Sequence, residues 1–215
     1  MVGWVGVDGA RPNATHCALA ELERAGKVDL LITQNVDRLH QKAGSQRVVD
    51  LHGRLDQIIC LNCGEQESRK SFQTRLLQAN PFVTDYQHIA RPDGDADVPD
   101  TYVEKTTIPQ CELCGGVVMP DVVFFGGTVP RARVEACTES LASAGGLLVV
   151  GSSLQVYSGF RFCRVAEKLR IPIVIVNEGE TRADDMATLK VELSALNRLV
   201  AAFDQIIPSQ ESKSA

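Results

Sequence analysis

The sequence lacks three features that would assign it to specialised classes of protein. It contains no run of about 18 apolar residues, and therefore no predicted membrane-spanning helix. It has no excess of positive charge, because 22 Lys and Arg stand against 27 Asp and Glu and give a net charge of −5. General nucleic-acid binding needs a concentrated basic surface and is not indicated. The opening residues, MVGWVGVDGARPNATH, lack the basic flank and continuous apolar core of a secretory signal, so we predict a soluble intracellular protein.

Cysteine is present in an odd number, seven, which argues against a complete disulfide framework. Four of the cysteines form two pairs, Cys60-Leu-Asn-Cys63 and Cys111-Glu-Leu-Cys114, each followed by glycine. Two thiolates on one tight turn can face one ion, and four satisfy tetrahedral zinc with no open position. The pairs therefore predict one structural zinc site, with a pair of redox CxxC motifs as the alternative. The isolated cysteines are predicted to be buried thiols without a role: Cys17, Cys137 and Cys163.

Short apolar runs alternate with helical patterns along the chain. Strand-like runs occupy residues 29–33, 47–53, 55–61, 117–125, 146–153 and 171–177. Helical patterns occupy residues 14–26, with Asn13 as the N-cap, and 36–43, 68–79, 131–144, 160–169 and 193–207. Residues 80–110 are rich in Pro, Asp and Thr without a clear period, and are predicted to be irregular. This alternation predicts an α/β fold whose parallel sheet is covered by helices on both faces.

Polar or glycine-containing turns follow four of the predicted strands. Gln34 and Asn35 follow the run LLIT, His52 follows VVDL, Gly151-Ser152-Ser153 follow LLVV, and Asn177 follows IVIV. Ligands bind at the carboxyl ends of the strands in such sheets, so these groups are predicted to converge on one cleft. Each also has a structural interpretation: the histidine as a hydrogen-bonding core group, the serines as turn residues and the last asparagine as a cap.

Several longer stretches resemble one known family. TQNVDRLHQKAG, DLHG, the two CxxC pairs, PDVVFFGG, VVGSSLQVYSG and IVIVNEG are similar to the sirtuins, which are NAD-dependent protein lysine deacylases. GSSLQVYSG, TRADD and the long insertion before Cys111 resemble the class II branch around sirtuin 4. The resemblance runs from about residue 11 to 200. It implies a Rossmann-like parallel sheet with helices on both faces, plus a small zinc-binding module that carries an inserted loop.

The resemblance implies a reaction and roles for individual residues. In sirtuins the acyl oxygen of a modified lysine attacks the ribose carbon of NAD as nicotinamide leaves, and water finally releases free lysine and O-acyl-ADP-ribose. His52 matches the general base, a task that suits a neutral imidazole near neutral pH. Asn35 is the second residue implied to be catalytic, because it and Gln34 match residues near the nicotinamide ribose and its attacking water. Asp37 matches the residue that binds the nicotinamide carboxamide, although alone it could be a helix-start carboxylate.

The same resemblance implies the remaining binding residues. The implied NAD-binding set is Gln34, Asn35, Val36, Asp37, Gly151, Ser152, Ser153, Asn177, Glu178, Gly179 and Ala195. An extended acylated peptide would be bound by strand addition, a form of β-augmentation. The implied substrate-binding set is Val123, Phe124, Phe125, Gly126, Leu154 and Val156. The implied zinc ligands are Cys60, Cys63, Cys111 and Cys114.

One departure from the family pattern lies at the start of the sequence. Sirtuins begin with a glycine-rich turn, GAG followed by serine, whereas this sequence contains no G-x-G-x-x-G turn. The expectation is a sirtuin that lacks its opening segment and, with it, amides that would cradle the NAD phosphates. Three functions stay open: NAD-dependent deacylation; ADP-ribosyl transfer or lipoamide removal of the sirtuin 4 type; and an inactive, zinc-stabilised module that binds peptides.

The resemblance also implies an organisation and a set of partners. The predicted Rossmann-like domain comprises residues 1–53 and 118–208, the zinc module comprises 54–117 with an insertion at about 80–110, and 209–215 form a disordered tail. The expected partners are proteins or peptides that carry acylated lysine, with no nucleic acid and no membrane. The expected location is the cytoplasm, with the mitochondrial matrix as the alternative.

Overall fold

The computed structural model describes residues 3–85 and 98–192. The last predicted helix, the implied NAD-binding residue Ala195 and the predicted tail lie outside the described residues, as does the middle of the predicted insertion. The helices are α1 (Gly3–Gly9), α2 (Ala14–Arg24), α3 (Leu39–Lys42), α4 (Arg69–Ala79), α5 (Asp100–Lys105), α6 (Arg131–Ser143) and α7 (Tyr157–Leu169). The strands are β1 (Leu31–Thr33), β2 (Val48–Asp50), β3 (Gly53–Cys60), β4 (Gln66–Ser68), β5 (Val118–Val122), β6 (Leu147–Val150), β7 (Ile173–Val176) and β8 (Leu189–Val191).

Local chemistry explains where several helices begin. The predicted N-cap is confirmed, because the Asn13 side-chain oxygen accepts the backbone N–H of His16 at 3.1 Å. Ser68 caps α4 in the same way, with its hydroxyl accepting the Ser71 N–H at 3.0 Å. Helix α3 is shorter than the predicted 36–43, because Arg38 adopts a left-handed conformation with φ of 65° that cannot continue a helix.

The prediction of irregular structure over 80–110 is wrong in part. Residues Pro81–Asp85 form a 3-10 turn, and α5 occupies Asp100–Lys105. Pro99 in extended conformation precedes this helix, while Asp100 in its first turn and Lys105 in its last both complement the helix dipole. A short helix can therefore form here without apolar periodicity, because proline and charged residues favour its ends.

The chain folds into two compact units that are interleaved in sequence. The first unit comprises Met1–Arg11, Asn35–Arg38 and His52–Phe125. The second comprises Pro12–Gln34, Leu39–Leu51 and Gly126–Ala215. None of the helices in the described ranges combines the length and the apolar character that a membrane crossing requires.

The second unit contains the predicted parallel strands. Strand β1 pairs with β2 in parallel, and β6, β7 and β8 form a parallel sheet in that order. Among the described residues, an apolar cluster packs around these strands and α6 and α7. Its buried members are Leu51, Val129, Cys137, Leu141, Val149, Leu154, Phe160, Phe162, Cys163, Ala166, Ile173, Ile175 and Ala183. Apolar strand residues and the inner faces of two helices thus form the α/β core that the sequence predicted.

The three isolated cysteines differ in burial. Cys137 and Cys163 are buried as predicted, and burial raises the pKa of each thiol to about 11. The prediction for Cys17 is wrong, because this residue is exposed. It lies on the solvent side of α2, whose buried residues are Ala18, Ala20 and Leu22.

The first unit is built on antiparallel strands. Strand β3 pairs with both β4 and β5, giving the order β4-β3-β5. Helix α4 covers this sheet, and Phe72 and Leu76 from the helix pack with Ile58 and Val118. The small apolar cluster leaves much of the stability of this unit to other interactions, and the four paired cysteines all belong to it.

Candidate functional site

The four paired cysteines converge on one point in the first unit. Their sulfur atoms all lie within 4.8 Å of one another. Cys60 Sγ is 3.6 Å from Cys114 Sγ, and Cys63 Sγ is 3.8 Å from Cys111 Sγ. Tetrahedral zinc with bonds of about 2.3 Å requires sulfur–sulfur separations of roughly 3.8 Å, whereas a disulfide requires about 2.05 Å. The geometry fits one zinc ion shared by both turns, an arrangement that two independent redox pairs would not require.

Each cysteine pair lies on a tight turn held by the same two backbone hydrogen bonds. The Gly64 N–H donates to the Cys60 carbonyl at 3.0 Å, and the Cys60 N–H donates to the Glu65 carbonyl at 2.9 Å. The equivalent bonds of the second turn run from Gly115 N–H to the Cys111 carbonyl and from Cys111 N–H to the Gly116 carbonyl. Gly64 and Gly115 have φ of 76° and 69°, so the glycine after each pair permits a left-handed turn.

Gly116 leaves space for the sulfur atoms. A Cβ at this position would lie 2.6 Å from the Asn62 Cβ, 2.9 Å from Cys60 Sγ and 3.1 Å from Cys114 Sγ. The second glycine of the CGG motif is therefore required by the close approach of the two turns. The close packing of the two turns, like the sulfur–sulfur distances, supports a metal centre formed by these cysteines.

The thiols of the cluster differ in pKa. Backbone N–H groups, first that of Cys63 and then that of Asn62, outweigh the opposing effect of burial and lower the pKa of Cys60 to about 6. Hydrogen bonding, first with Cys63, raises the pKa of Cys114 to about 12. A cation bound by four thiolates releases the remaining protons, so metal affinity should rise with pH.

His52 lies beside the implied substrate strand in the first unit. Its backbone carbonyl accepts the Val123 N–H at 2.8 Å, directly after the Gly53–Val122 pair of the β3–β5 ladder. Gly53 makes this approach possible, because a Cβ there would lie 2.1 Å from the Asp121 carbonyl oxygen. The implied base and the implied peptide strand are therefore fixed together by backbone pairing. The residues that follow, Phe124 and Phe125, lie beyond the end of β5, are exposed by 57% and 103% and leave apolar surface for a ligand.

The segment Asn35–Arg38 is tied to β3 on both sides of Asp37. The Leu55 N–H donates to the Val36 carbonyl at 2.9 Å, and the Arg38 guanidinium lies 3.7 Å from the Asp56 carboxylate. Burial raises the pKa of Asp56, but the hydrogen bond from Arg54 and the charges of Arg54 and Arg38 outweigh burial and lower it. Asp56 is therefore ionised and forms an ion pair with Arg38.

The ends of three parallel strands lie together in the second unit. Gln34, after β1, accepts the Ser152 hydroxyl at 3.4 Å and donates to the Ser158 hydroxyl at 3.3 Å. The Gly151 N–H donates to the Val176 carbonyl at 2.9 Å, which brings the end of β6 beside the end of β7. Amide, hydroxyl and backbone groups thus share one edge of this unit, as the sequence predicted for these strands.

The turn after β7 is stabilised by the side chain of its first residue, Asn177. Asn177 is 7% exposed, and its amide nitrogen donates to the Glu178 carbonyl at 2.8 Å and to the Gly179 carbonyl at 3.4 Å. Glu178 and Gly179 themselves are exposed, and Gly179 has φ of 76°. This turn presents polar backbone at the same edge of the sheet, a suitable environment for a nucleotide sugar.

The implied residues of the peptide-binding segment after β6 differ in exposure. Leu154 is 5% exposed and packs in the apolar core, whereas Val156 is 50% exposed. Gly126, the last implied substrate residue, is exposed and has φ of 83°. Leu154 therefore anchors its segment, and Val156 is available to a ligand.

Sequence reasoning assigned no role to the side chains of Arg182 and Asp184. Arg182 donates to the Gln155 carbonyl at 3.1 Å, and Asp184 accepts Lys190 Nζ at 2.6 Å and the Thr181 hydroxyl at 2.5 Å. In the sequence these residues appear in the stretch TRADD, which resembles the family but does not reveal the contacts that they make. These residues support the turns described above and do not themselves have the character of reacting groups.

The comparisons with known proteins agree on one family. The model of the Sir2 family matches residues 4–158. An NAD-dependent protein deacetylase of Xanthomonas axonopodis pv. citri is 53% identical over 199 residues, which cover 93% of this chain and 68% of that protein. The NAD-dependent protein deacylase Sirt4 of Drosophila melanogaster is 45% identical over 204 residues, which cover 95% of this chain and 65% of that protein.

Solved structures give the same result. A structure of Sir2 bound to an acetylated peptide superposes with a TM-score of 0.75 at 29% identity, covering 94% of this chain and 73% of that one. A complex of Sir2 with a p53 peptide and NAD+ superposes with a TM-score of 0.72 at 29% identity, covering 92% of this chain and 70% of that one.

The fold and the site first define a class, a parallel α/β protein with polar strand ends and a four-cysteine antiparallel module in the same chain. Within that class the chain belongs to the Sir2 family, the sirtuins. The resemblance drawn from the sequence motifs, including its sirtuin 4 character, is confirmed, and so is the Rossmann-like fold.

Proposed function

We propose that this chain is an NAD-dependent protein lysine deacylase that yields nicotinamide, deacylated lysine and O-acyl-ADP-ribose. The observation that carries the proposal is the backbone pairing of His52 with Val123. This backbone contact supports the assignment of His52, the residue that matches the general base, because it brings His52 beside Val123 of the implied peptide-binding segment. Family membership and the names of the relatives, deacetylase and deacylase, support the same reaction.

The residues at the strand ends of the second unit fit a dinucleotide. Gly151 and Gly179 allow close backbone approach, Ser152 and Gln34 offer hydrogen-bonding groups, and the Asn177 turn is polar. Bound NAD supplies the ribose carbon that nicotinamide leaves and the ribose hydroxyl that takes over the acyl group. In the first unit, Asp37 would accept a hydrogen bond from the nicotinamide carboxamide, and Asn35 would orient a water molecule.

His52 would act as the general base of the reaction. Its imidazole would accept the proton of the ribose hydroxyl and so prepare that oxygen for bonding to the acyl carbon. The Val123 carbonyl would accept the amide hydrogen of the acyl-lysine and fix the acyl group relative to His52. The peptide backbone would extend along Val123–Phe125 by strand addition. The family match assigns Leu154 and Val156 to peptide binding as well.

The zinc ion would be structural. Cys60, Cys63, Cys111 and Cys114 would fill all four positions of a tetrahedral ion and leave none for substrate. The ion would therefore hold the two turns of the first unit together and take no part in the chemistry.

The proposal is tested by nicotinamide release from NAD with acetyl-, succinyl-, glutaryl- and lipoyl-lysine peptides, with O-acyl-ADP-ribose followed by mass spectrometry. We expect turnover that requires a peptide, and a decrease of about 10²–10⁴-fold in His52→Ala because general-base catalysis contributes about that much. His88→Ala, at a histidine with no predicted role, is the matched control.

The outcomes separate the functions that the sequence left open. Equal turnover in wild type and His52→Ala would exclude His52 as the base. Turnover with the lipoyl peptide alone would favour lipoamide removal, and incorporation of labelled ADP-ribose into protein would favour ADP-ribosyl transfer. Absence of any turnover by folded, zinc-loaded protein would contradict the deacylase proposal.

A further inference from the structure

Leu154 has a backbone conformation that its side chain disfavours. Its φ is 57°, in the left-handed region, which is unfavourable for a residue that carries a Cβ. Such a conformation persists only where surrounding contacts hold it. One contact is the burial of the Leu154 side chain in the apolar core, and a second is the Leu154 N–H, which donates to the Ser152 hydroxyl at 3.3 Å.

Arg182 binds the chain on both sides of Leu154. Its backbone N–H donates to the Ser153 carbonyl at 2.9 Å, and its guanidinium Nη1 donates to the Gln155 carbonyl at 3.1 Å. The guanidinium carbon also lies 4.4 Å from the centre of the Phe160 ring, within the range of a cation–π contact. Phe160 is buried in α7, so the guanidinium is held on a fixed platform.

The loop that carries Arg182 is itself anchored. Thr181 and Lys190 hold Asp184 by the short hydrogen bonds described above, and the Thr181 N–H donates to the same carboxylate at 3.1 Å. These contacts fix the loop after β7 without help from the Arg182 side chain. Arg182 therefore connects this anchored loop, through its hydrogen bonds, to the segment before α7.

We propose that Arg182 is a positioning residue that holds segment 153–156 in the shape that binds the acylated peptide. The proposal rests on the deacylase function for its consequence, peptide affinity. Without the guanidinium, the Gln155 carbonyl loses its partner and the left-handed turn at Leu154 is held on one side only. The segment then samples other conformations, and the peptide must bind the fraction of molecules in the competent one.

The kinetic test compares four variants with wild type. Arg182→Ala and Arg182→Met both remove the donor, while Met keeps an apolar stem for Phe160. We expect the KM for the acylated peptide to rise about three- to tenfold in both, since a charged hydrogen bond at an exposed site contributes modestly. Arg182→Lys, which retains a cation and a donor, should recover part of the loss. Arg164→Ala, at an exposed arginine of α7, removes the same charge and should have no effect.

The KM for NAD should change much less than the KM for the peptide, because the backbone N–H of Arg182 still holds the Ser153 carbonyl in every variant and only the contact with Gln155 is lost. A merely structural role would instead lower the melting temperature and change both KM values together. Equal increases in the two KM values, or a normal peptide KM in Arg182→Met, would overturn the proposal.

Hydrogen–deuterium exchange of peptides that cover 151–159 gives a readout without catalysis. We expect faster exchange in Arg182→Ala and Arg182→Met than in wild type and Arg164→Ala. Unchanged exchange would overturn the positioning role even if the enzyme is active. If wild-type protein releases no nicotinamide, the proposed function fails, while the exchange experiment still decides whether Arg182 holds the segment.

Discussion

Single residues decide whether the two strands beside His52 can approach. Gly53 has φ of 87°, and any side chain there would meet the backbone of Asp121 and Val122. A collision with backbone cannot be relieved by rotation of a side chain, so the strands themselves would have to separate. The position of His52 against Val123 therefore depends on a neighbour that has no functional group of its own.

We expect Gly53→Ala to destabilise the protein by about 2–4 kcal/mol, the range for strain at a special backbone conformation with overpacking. Turnover should fall with it, because the pairing of the His52 carbonyl with Val123 is disturbed. Urea unfolding and nicotinamide release measure the two effects. Gly145→Ala is the control, since a Cβ there meets no atom within 4 Å. Equal stabilities of the two variants would contradict the close approach.

Asp184 makes a residue-scale prediction about pH. The hydrogen bond from Lys190 first, and then that from Thr181, lower the pKa of Asp184 to about 2. A carboxylate whose pKa is lower in the folded than in the unfolded chain, where it is about 4, stabilises the fold above that value. This stabilisation is lost as pH falls from about 4 to about 2.

The melting temperature of Asp184→Asn should therefore lie below that of wild type at pH 5–7. The difference should shrink between about pH 4 and pH 2. Asp185→Asn, at the exposed neighbouring aspartate, should follow wild type throughout. A difference that stays constant down to pH 2 would show that Asp184 contributes through its shape and not through its charge.

At the scale of elements, the first unit combines a small apolar cluster with two cysteine turns. Ile58, Phe72, Leu76 and Val118 provide little buried surface for a sheet and a helix. A bound metal supplies folding free energy where the apolar core is small. The cysteine turns are therefore the elements on which the stability of this unit most depends.

We expect the purified protein to contain about one zinc ion per chain, measured by elemental mass spectrometry. Cys63→Ser should lose the ion and lower the melting temperature, because three thiolates leave the tetrahedral site incomplete. Cys17→Ser, at an exposed cysteine outside the cluster, should keep the zinc ion and the melting temperature of wild type. Chelator should lower the melting temperature of wild type and leave Cys63→Ser unchanged. Full zinc content in Cys63→Ser would contradict the four-cysteine site.

For the whole molecule, the sequence predicted the elements better than their special conformations. Continuous apolar runs identified the parallel strands, and Asn13 identified a helix start, because both signals are local. The left-handed Arg38 and Leu154 were not predictable, since Arg38 and the neighbours of Leu154 contact Asp56 and Arg182, which come from other parts of the sequence. The four-cysteine site could be predicted because its spacing is itself a geometric constraint. The contacts of Arg182 leave no such pattern in the sequence.

The interleaving of the two units limits how this chain can be divided. Strand β3 needs the Val36 carbonyl as the partner of Leu55 and needs Arg38 beside Asp56, yet both come from a stretch that lies outside His52–Phe125. A gene fragment that encodes the cysteine-containing stretch alone would omit those partners. The first unit is thus assembled from separated stretches of sequence, and a transfer of the cysteine-containing stretch would have to carry Asn35–Arg38 with it to keep these contacts of β3.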